Sequence, residues 1–188
     1  MNTNLVSDIT PLAGLDKIET IDLSNNTVSD FSALGEMEAL ARVTVYNTGI
    51  TDADIGSFLD LLKKEQVTKL DLGGNQITEF GKLAEFPKLE KAALWDSHID
   101  DAKLRQLVDI VKGLPAFDQF ALKGNQITDV TPLAELPNLR VINLNNNQIR
   151  DISPLGSLQH LEELRIANNQ ITDFSPVENK GIKTLQLN

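Results

Sequence analysis

The chain has no cysteine, one tryptophan and one tyrosine among its 188 residues. Without cysteine, disulfides and thiolate metal sites are excluded, and the redox compartment stays open. No apolar run approaches the length of a membrane-spanning helix. Met1 is followed by polar residues and not by an apolar h-region, so no signal peptide is read here. Basic residues are outnumbered 17 to 27, a net charge of −10. That balance argues against a general phosphate-backbone binder and against anionic membrane surfaces. It favours solubility, and a basic partner wherever the negative charge is concentrated.

What the chain does have is a repeat. Its frame is apolar, two residues, apolar, one, apolar, two, Asn, one, then Ile or Val. Units begin at Ile18, Leu40, Val67, Leu89, Phe117, Leu139, Leu161 and Ile182, with spacings of 22, 27, 22, 28, 22, 22 and 21 residues. A partial unit (4–15) precedes them. Asn26, Asn75, Asn125, Asn147 and Asn169 fill the Asn position. Alternation such as Ile142, Asn143, Leu144 predicts a short strand with one apolar face. The Asn side chains are expected to form a ladder on backbone groups where the chain turns away. "DITP", "DVTP", "DISP" and "DFSP" then offer a Ser or Thr cap followed by Pro at the first helical position. One unit cannot bury its own apolar face, so only the stack is stable.

The frame resembles the leucine-rich repeat family over nearly the whole chain. "LPNLRVINLNNNQIRDISPLGSL" is most similar to the 22-residue class of bacterial internalins and phosphatase-regulating repeat proteins. The resemblance implies an α/β solenoid with a concave parallel β-sheet and convex short 3-10 turns. It also implies a binding function, usually through the concave face. The reading is a single leucine-rich repeat domain over residues 1–188, with about eight strand-bearing units and a partial unit at each end.

Two units are longer. Those from Leu40 and Leu89 replace the ladder Asn with Thr48 and Ser97, and each continues into an amphipathic helix. Ile55, Phe58, Leu59 and Leu62 follow i, i+3, i+4, i+7, and so do Leu104, Leu107, Val108 and Val111. Thr51 with Asp54 predicts a capping box variant, and Asp100 a cap for the second helix. Both helices are expected on the convex side. The chain opens inside a repeat and closes on "IKTLQLN", and an uncapped solenoid end exposes apolar surface and unpaired strand groups. Such ends are expected to belong to a fragment of something longer or to be covered by a partner.

Stacking brings equivalent outward positions into columns about 4.8 Å apart. One column reads Asp22, Thr44, Asp71, Ala93, Ala121, Asn143, Arg165, Gln186; the one before it reads Thr20, Arg42, Lys69, Lys91, Gln119, Val141, Glu163, Thr184. The one after it reads Ser24, Tyr46, Gly73, Trp95, Lys123, Asn145, Ala167, Asn188, and a fourth, closing the strand, holds Asn25, Asn47, Gly74, Asp96, Gly124, Asn146 and Asn168. Tyr46 and Trp95 therefore share a column, with Gly73 between them and Gly74 beside it. Two aromatic walls about 10 Å apart over a floor without side chains would form a notch for a side chain or short extended segment. Alternatively Trp95 lies over Gly73 and shields it. Arg42, Lys69 and Lys91 run alongside, their mutual repulsion offset in part by Asp71. The candidate partner-binding residues are Tyr46, Trp95, Gly73, Gly74, Asp71, Arg42, Lys69, Lys91 and Asp96, and the expected partner is a protein or peptide with an acidic segment.

Other chemistry finds no support. In "WDSHIDD" Ser97 and His98 are adjacent and diverge, whereas a triad needs convergence. Ser97 also occupies the ladder position. His98 and His160, the only histidines, make a poor metal set. "LGGNQ" lacks the Lys and Ser/Thr of a phosphate loop. The scattered cations argue against nucleic acid. No catalytic residue, metal or cofactor is assigned. The alternatives are a structural or self-associating spacer of a larger protein, and the substrate-selecting part of an enzyme whose catalytic domain is absent.

Overall fold

The computed structural model describes residues 4–178 and 180–187. The expectation that placed Asn188 in an outward column lies outside these residues. Eight strands of three residues each form one sheet: β1 Thr20–Asp22, β2 Arg42–Thr44, β3 Lys69–Asp71, β4 Lys91–Ala93, β5 Gln119–Ala121, β6 Val141–Asn143, β7 Glu163–Arg165 and β8 Thr184–Gln186. They pair in parallel and in chain order, β1 to β8. The register aligns Thr20, Arg42, Lys69, Lys91, Gln119, Val141, Glu163 and Thr184 in one row, as the columns require.

The alternation decides which side is filled. Leu70, Ala92, Phe120, Ile142 and Leu164, the middle residues of successive strands, are fully buried. Leu72, Leu94, Leu122 and Leu144, two residues on, join them in one continuous core. Burying a Leu or Ile side chain contributes about 1.5–3 kcal/mol. Here much of that cover comes from the rungs above and below, so stability is largely a property of neighbours.

The asparagine ladder forms where the frame places it. Asn125 donates from Nδ2 to the carbonyls of Leu94 (2.9 Å) and Leu122 (2.8 Å) and accepts at Oδ1 from the amides of Ser97 and Ile99, both at 3.0 Å. One side chain thus satisfies buried backbone groups of two units at once, and each would otherwise cost about 1–3 kcal/mol. Asn75 does the same for Val45, Leu72 and the amides of residues 48–50. Ser97, with its hydroxyl donating to the carbonyl of Trp95 at 3.0 Å, is a buried part of this framework.

The expected Ser/Thr caps are corrected. In each Asp-x-Ser/Thr-Pro segment the hydroxyl residue is itself the first residue of a 3-10 turn, as at Thr10–Leu12, Thr131–Glu135, Ser153–Ser157 and Ser175–Val177. No side chain at the preceding position caps it. The acceptor is instead the Asp two residues earlier: Asp8, Asp129, Asp151 and Asp173 take the backbone N–H of Thr10, Thr131, Ser153 and Ser175 at 2.7–2.8 Å. A carboxylate is the stronger acceptor, and an Asx turn needs the side chain in that position.

The two long units carry α1 (Asp52–Leu61) and α2 (Asp101–Val111). α1 begins with the predicted capping box of Thr51 and Asp54, and Asp100 Oδ1 accepts the amide of Lys103 at 2.9 Å. Their buried faces are Ile55, Phe58, Leu59 with Leu62, and Leu104, Leu107, Val108, Val111. Neither helix is long and apolar enough to cross a membrane. The first residue of each helix reaches forward to the next unit. Asp52 accepts from the Thr78 amide (2.6 Å), its hydroxyl (2.7 Å) and the Glu79 amide (3.1 Å). Asp101 repeats the arrangement with Thr128 and Asp129. Further along, Asp60 pairs with Lys82, Lys64 with Glu85, and Arg105 with Glu135.

Candidate binding face

The row Arg42, Lys69, Lys91 stands side by side on β2, β3 and β4. Lys69 lies 3.7 Å from Glu90. The side chains of Arg42 and Lys91, like that of Lys123 on the strand exit after β5, form no ion pair or hydrogen bond among the described residues. Around the helices most cations are paired: Lys63, Lys64, Lys82, Arg105 and Lys112 are, and Lys103 is the exception among the described residues. Like charges on adjacent strands repel; Glu90 offsets Lys69, and the charges of Asp71 and Lys91 attract one another. Burial pushes the Asp71 carboxyl above the ordinary 3.8; the 3.1 Å bond from the Gly73 amide and the charge of Lys91 hold it down, and Asp22 pushes it up.

Trp95 is half-buried on this face, not packed among the leucines. Its Nε1 is buried and has no hydrogen-bond partner among the described residues. Sequence alone carried no signal for that orphan donor.

Tyr46 corrects the open notch. Its ring does not stand upright as a wall. It lies over Gly74, so that a Cβ there would come within 2.9 Å of Cε2, and its hydroxyl donates to Asp96 Oδ2 at 3.1 Å. The phenol is pushed above its ordinary 10.0, first by burial and then by that carboxylate. The glycine floor is therefore covered by Tyr46 itself. Gly73 is closed by the next strand: a Cβ there would meet the backbone N and O of Trp95 at 2.7 Å.

Gly74 also has a second reason for being glycine. Every described member of the fourth column is left-handed: Asn25, Asn47, Gly74, Asp96, Asn146 and Asn168 have φ between 51° and 66°, and Gly124 has 73°. Gly, Asn and Asp are the residues that tolerate this conformation. The column's composition in the sequence already carried that signal. Gly124 is left clear in the same way, since a Cβ there would run into the carboxylate of Asp96.

The outward columns are partly filled as well. Ala93, Ala121, Asn143, Asn145 and Ala167 are buried, so the face is shallow beyond Trp95. Structure thus brings Tyr46, Gly74, Asp96 and Trp95 into one patch, with Asp71 and the basic row beside it. Lys123, next to Trp95 in its column, is an unpaired cation that the candidate set omitted.

His98, which follows Ser97, is exposed and left-handed at φ 53°, the position where the first long unit has Gly49 at 82°. Among the described residues no group of three or more His, Cys, Asp or Glu is placed to hold a metal ion.

A leucine-rich repeat model of two copies matches residues 120–157, and a single-repeat model matches residues 157–173. No curated protein matches the chain. Among solved structures, an internalin (inlF) of Listeria monocytogenes is 31% identical with a TM-score of 0.65, over 97% of this chain and 51% of its own. Internalin C2 of the same organism is 27% identical with a TM-score of 0.65, over 93% of this chain and 82% of its own. The chain spans about half the length of the first of these. Repeat, register and matches agree: the chain belongs to the leucine-rich repeat family.

Proposed function

We propose that the chain is a non-enzymatic recognition module that binds a protein or peptide through the concave face of its sheet. The partner's acidic segment engages Arg42, Lys69 and Lys91, and Trp95 and Tyr46 serve as anchors, with Asp71, Asp96, Gly73 and Gly74 shaping the patch. The leucine-rich repeat matches and the internalin neighbours support a protein–protein interaction module in general. One observation carries the finer reading. Arg42 and Lys91 form no ion pair among the described residues and share the sheet face with a half-buried Trp, while most cations around the helices, Lys103 excepted, are paired. A rigid sheet presents these groups already ordered, which lowers the cost of binding.

Trp95 is the only tryptophan, so its emission reports this patch alone. A capped peptide of alternating Glu and Leu should change that emission saturably and less so at high salt, and its Gln counterpart should not. Tyr46→Ala and Lys91→Glu should each weaken binding tenfold or more, and Trp95→Ala, followed by calorimetry, at least as much. A response that is indifferent to salt and to Lys91→Glu removes the reading. Self-association is the second reading, favoured by Leu185 and Leu187, 45% and 43% exposed. It predicts concentration-dependent sedimentation that Leu187→Lys abolishes.

A further inference from the structure

The first long unit leaves an opening that the second does not explain away. α1 is drawn toward the unit after it: Lys82 Nζ donates to the Gly56 carbonyl at 3.1 Å and pairs with Asp60, and Lys64 pairs with Glu85. Toward the unit before it, α1 packs Phe58 on Phe31, and the one ion pair among the described residues is at the far end, Lys63 with Glu38 at 3.0 Å. The preceding return is a slim 3-10 turn, Ser32–Glu36. A helix is broader than such a turn, and between them runs a groove of about 570 Å³. That volume is within the range of small-ligand and side-chain pockets, about 300–1,000 Å³.

The floor of the groove is apolar. Phe31 and Phe58 meet edge to face, centroids 5.1 Å apart at 78°, with Val28 and Ile50 beside them. The rim is acidic. Asp30 and Asp54 line it, and among the described residues no Lys, Arg or His does. Both carboxyls are held below the ordinary 3.8, Asp30 chiefly by the amide of Ser32 and Asp54 chiefly by the hydroxyl of Thr51, so both are charged at neutral pH. Asp8 is close enough to act on Asp30. An apolar floor under two carboxylates that have hydrogen bonds but no counter-cation among the described lining residues selects an apolar group that arrives with a positive charge.

We propose that this groove is a second docking site, which takes a large apolar side chain from a partner protein in a segment where that residue is flanked by Lys or Arg. The site is on a different face from the sheet patch and has the opposite charge preference. It rests on none of the residues that carry the sheet-face reading.

The test uses a capped Lys-Phe-Leu-Lys peptide and its Glu-Phe-Leu-Glu counterpart, titrated into the ¹⁵N-labelled chain. The basic peptide should shift the amides of Gly49 and Ser57 saturably, and the acidic one should not. Asp30→Asn keeps an acceptor for the Ser32 amide but removes the charge, and should weaken binding at least threefold. Ser57→Trp should fill the groove and abolish binding. Ser57→Lys, which leaves the floor open and places a cation on the rim, should do nearly the same, and covers the case in which the tryptophan variant does not fold. Lys91→Glu should leave all of these responses unchanged. Equal binding of both peptides, undiminished binding to Ser57→Lys, or no saturable shift at millimolar peptide would each overturn the proposal.

Discussion

The hydroxyl of Tyr46, on the exit of β2, reaches Oδ2 of Asp96, on the exit of β4, passing over the strand between them. The crossing is allowed because that strand carries Gly74 where a side chain would block the ring. Tyr46 is the only tyrosine, so phenolate absorbance titrates it alone. Its midpoint should lie above 10, and Asp96→Ala should lower it by removing both the bond and the charge. A midpoint at 10 in the parent chain would show the contact to be absent in solution. The sign for stability follows. With the folded value raised, the unfolded phenol ionises first, so the contribution is present below pH 10 and is lost as pH rises above it.

The two glycines should differ in what they tolerate. Gly73→Ala forces a Cβ onto the backbone of Trp95 and should cost about 3 kcal/mol, since a strand must move. Gly74→Ala meets the Tyr46 ring and a left-handed backbone, at about 1–2 kcal/mol. Gly74→Asn combined with Tyr46→Ala should recover most of that loss, because Asn fills the same column elsewhere and the obstructing ring is gone. Urea midpoints of the three variants check the order.

His98→Gly should stabilise the chain. A histidine at φ 53° carries the left-handed penalty that Gly49 avoids in the first long unit, and removing it should return about 1 kcal/mol. The side chain is exposed, so little packing is lost. A lower melting temperature in His98→Gly would mean that the imidazole makes a contact worth more than the strain.

Acid should loosen the long units first. Asp52 is held below the ordinary 3.8 chiefly by the Thr78 hydroxyl, and Asp101 is also lowered, through bonds from Asp129 and Thr128 that outweigh its burial. Both folded values are depressed, so the stabilisation is complete above the unfolded value and is lost as pH falls through the folded one. Asp52→Asn and Asp101→Asn should therefore be less stable than the parent at pH 7 and converge with it near pH 2. Hydrogen exchange should show the amides of Thr78 and Thr128 losing protection, and a constant stability gap from pH 7 down to pH 2 would contradict the assignment.

The repeat frame made most of the fold legible. Strand position, register and the two helices follow from apolar periods of 2 and 3.6, because a solenoid repeats one local solution and errors do not accumulate. The candidate face was legible as a column but not as a shape. Tyr46 and Trp95 fall in the same column, yet one ring lies flat and bonds to Asp96 while the other buries an N–H without a partner. That difference is set by side-chain rotamers and by the missing Cβ of Gly74, which a periodic frame does not encode. The left-handed turn was legible in principle, since Asn25, Asn47, Asn146 and Asn168 share a column with Gly74. The capping error at Thr10 and its equivalents had a simpler cause: Asp and Ser/Thr both cap helices, and only the turn's start decides which one does.

The forward reach of Asp52 and Asp101 also bears on how such a chain grows. Each helix-bearing unit is fastened to the plain unit that follows it, so the pair is a couple whose internal joints are polar and specific. Cuts at Leu89 or Leu139 leave those carboxylate joints whole, whereas a cut at Val67 or Phe117 severs one. Over generations, gain or loss of length in this part of the chain is expected in couples, and a half-couple left by recombination would inherit a carboxylate with nothing to hold.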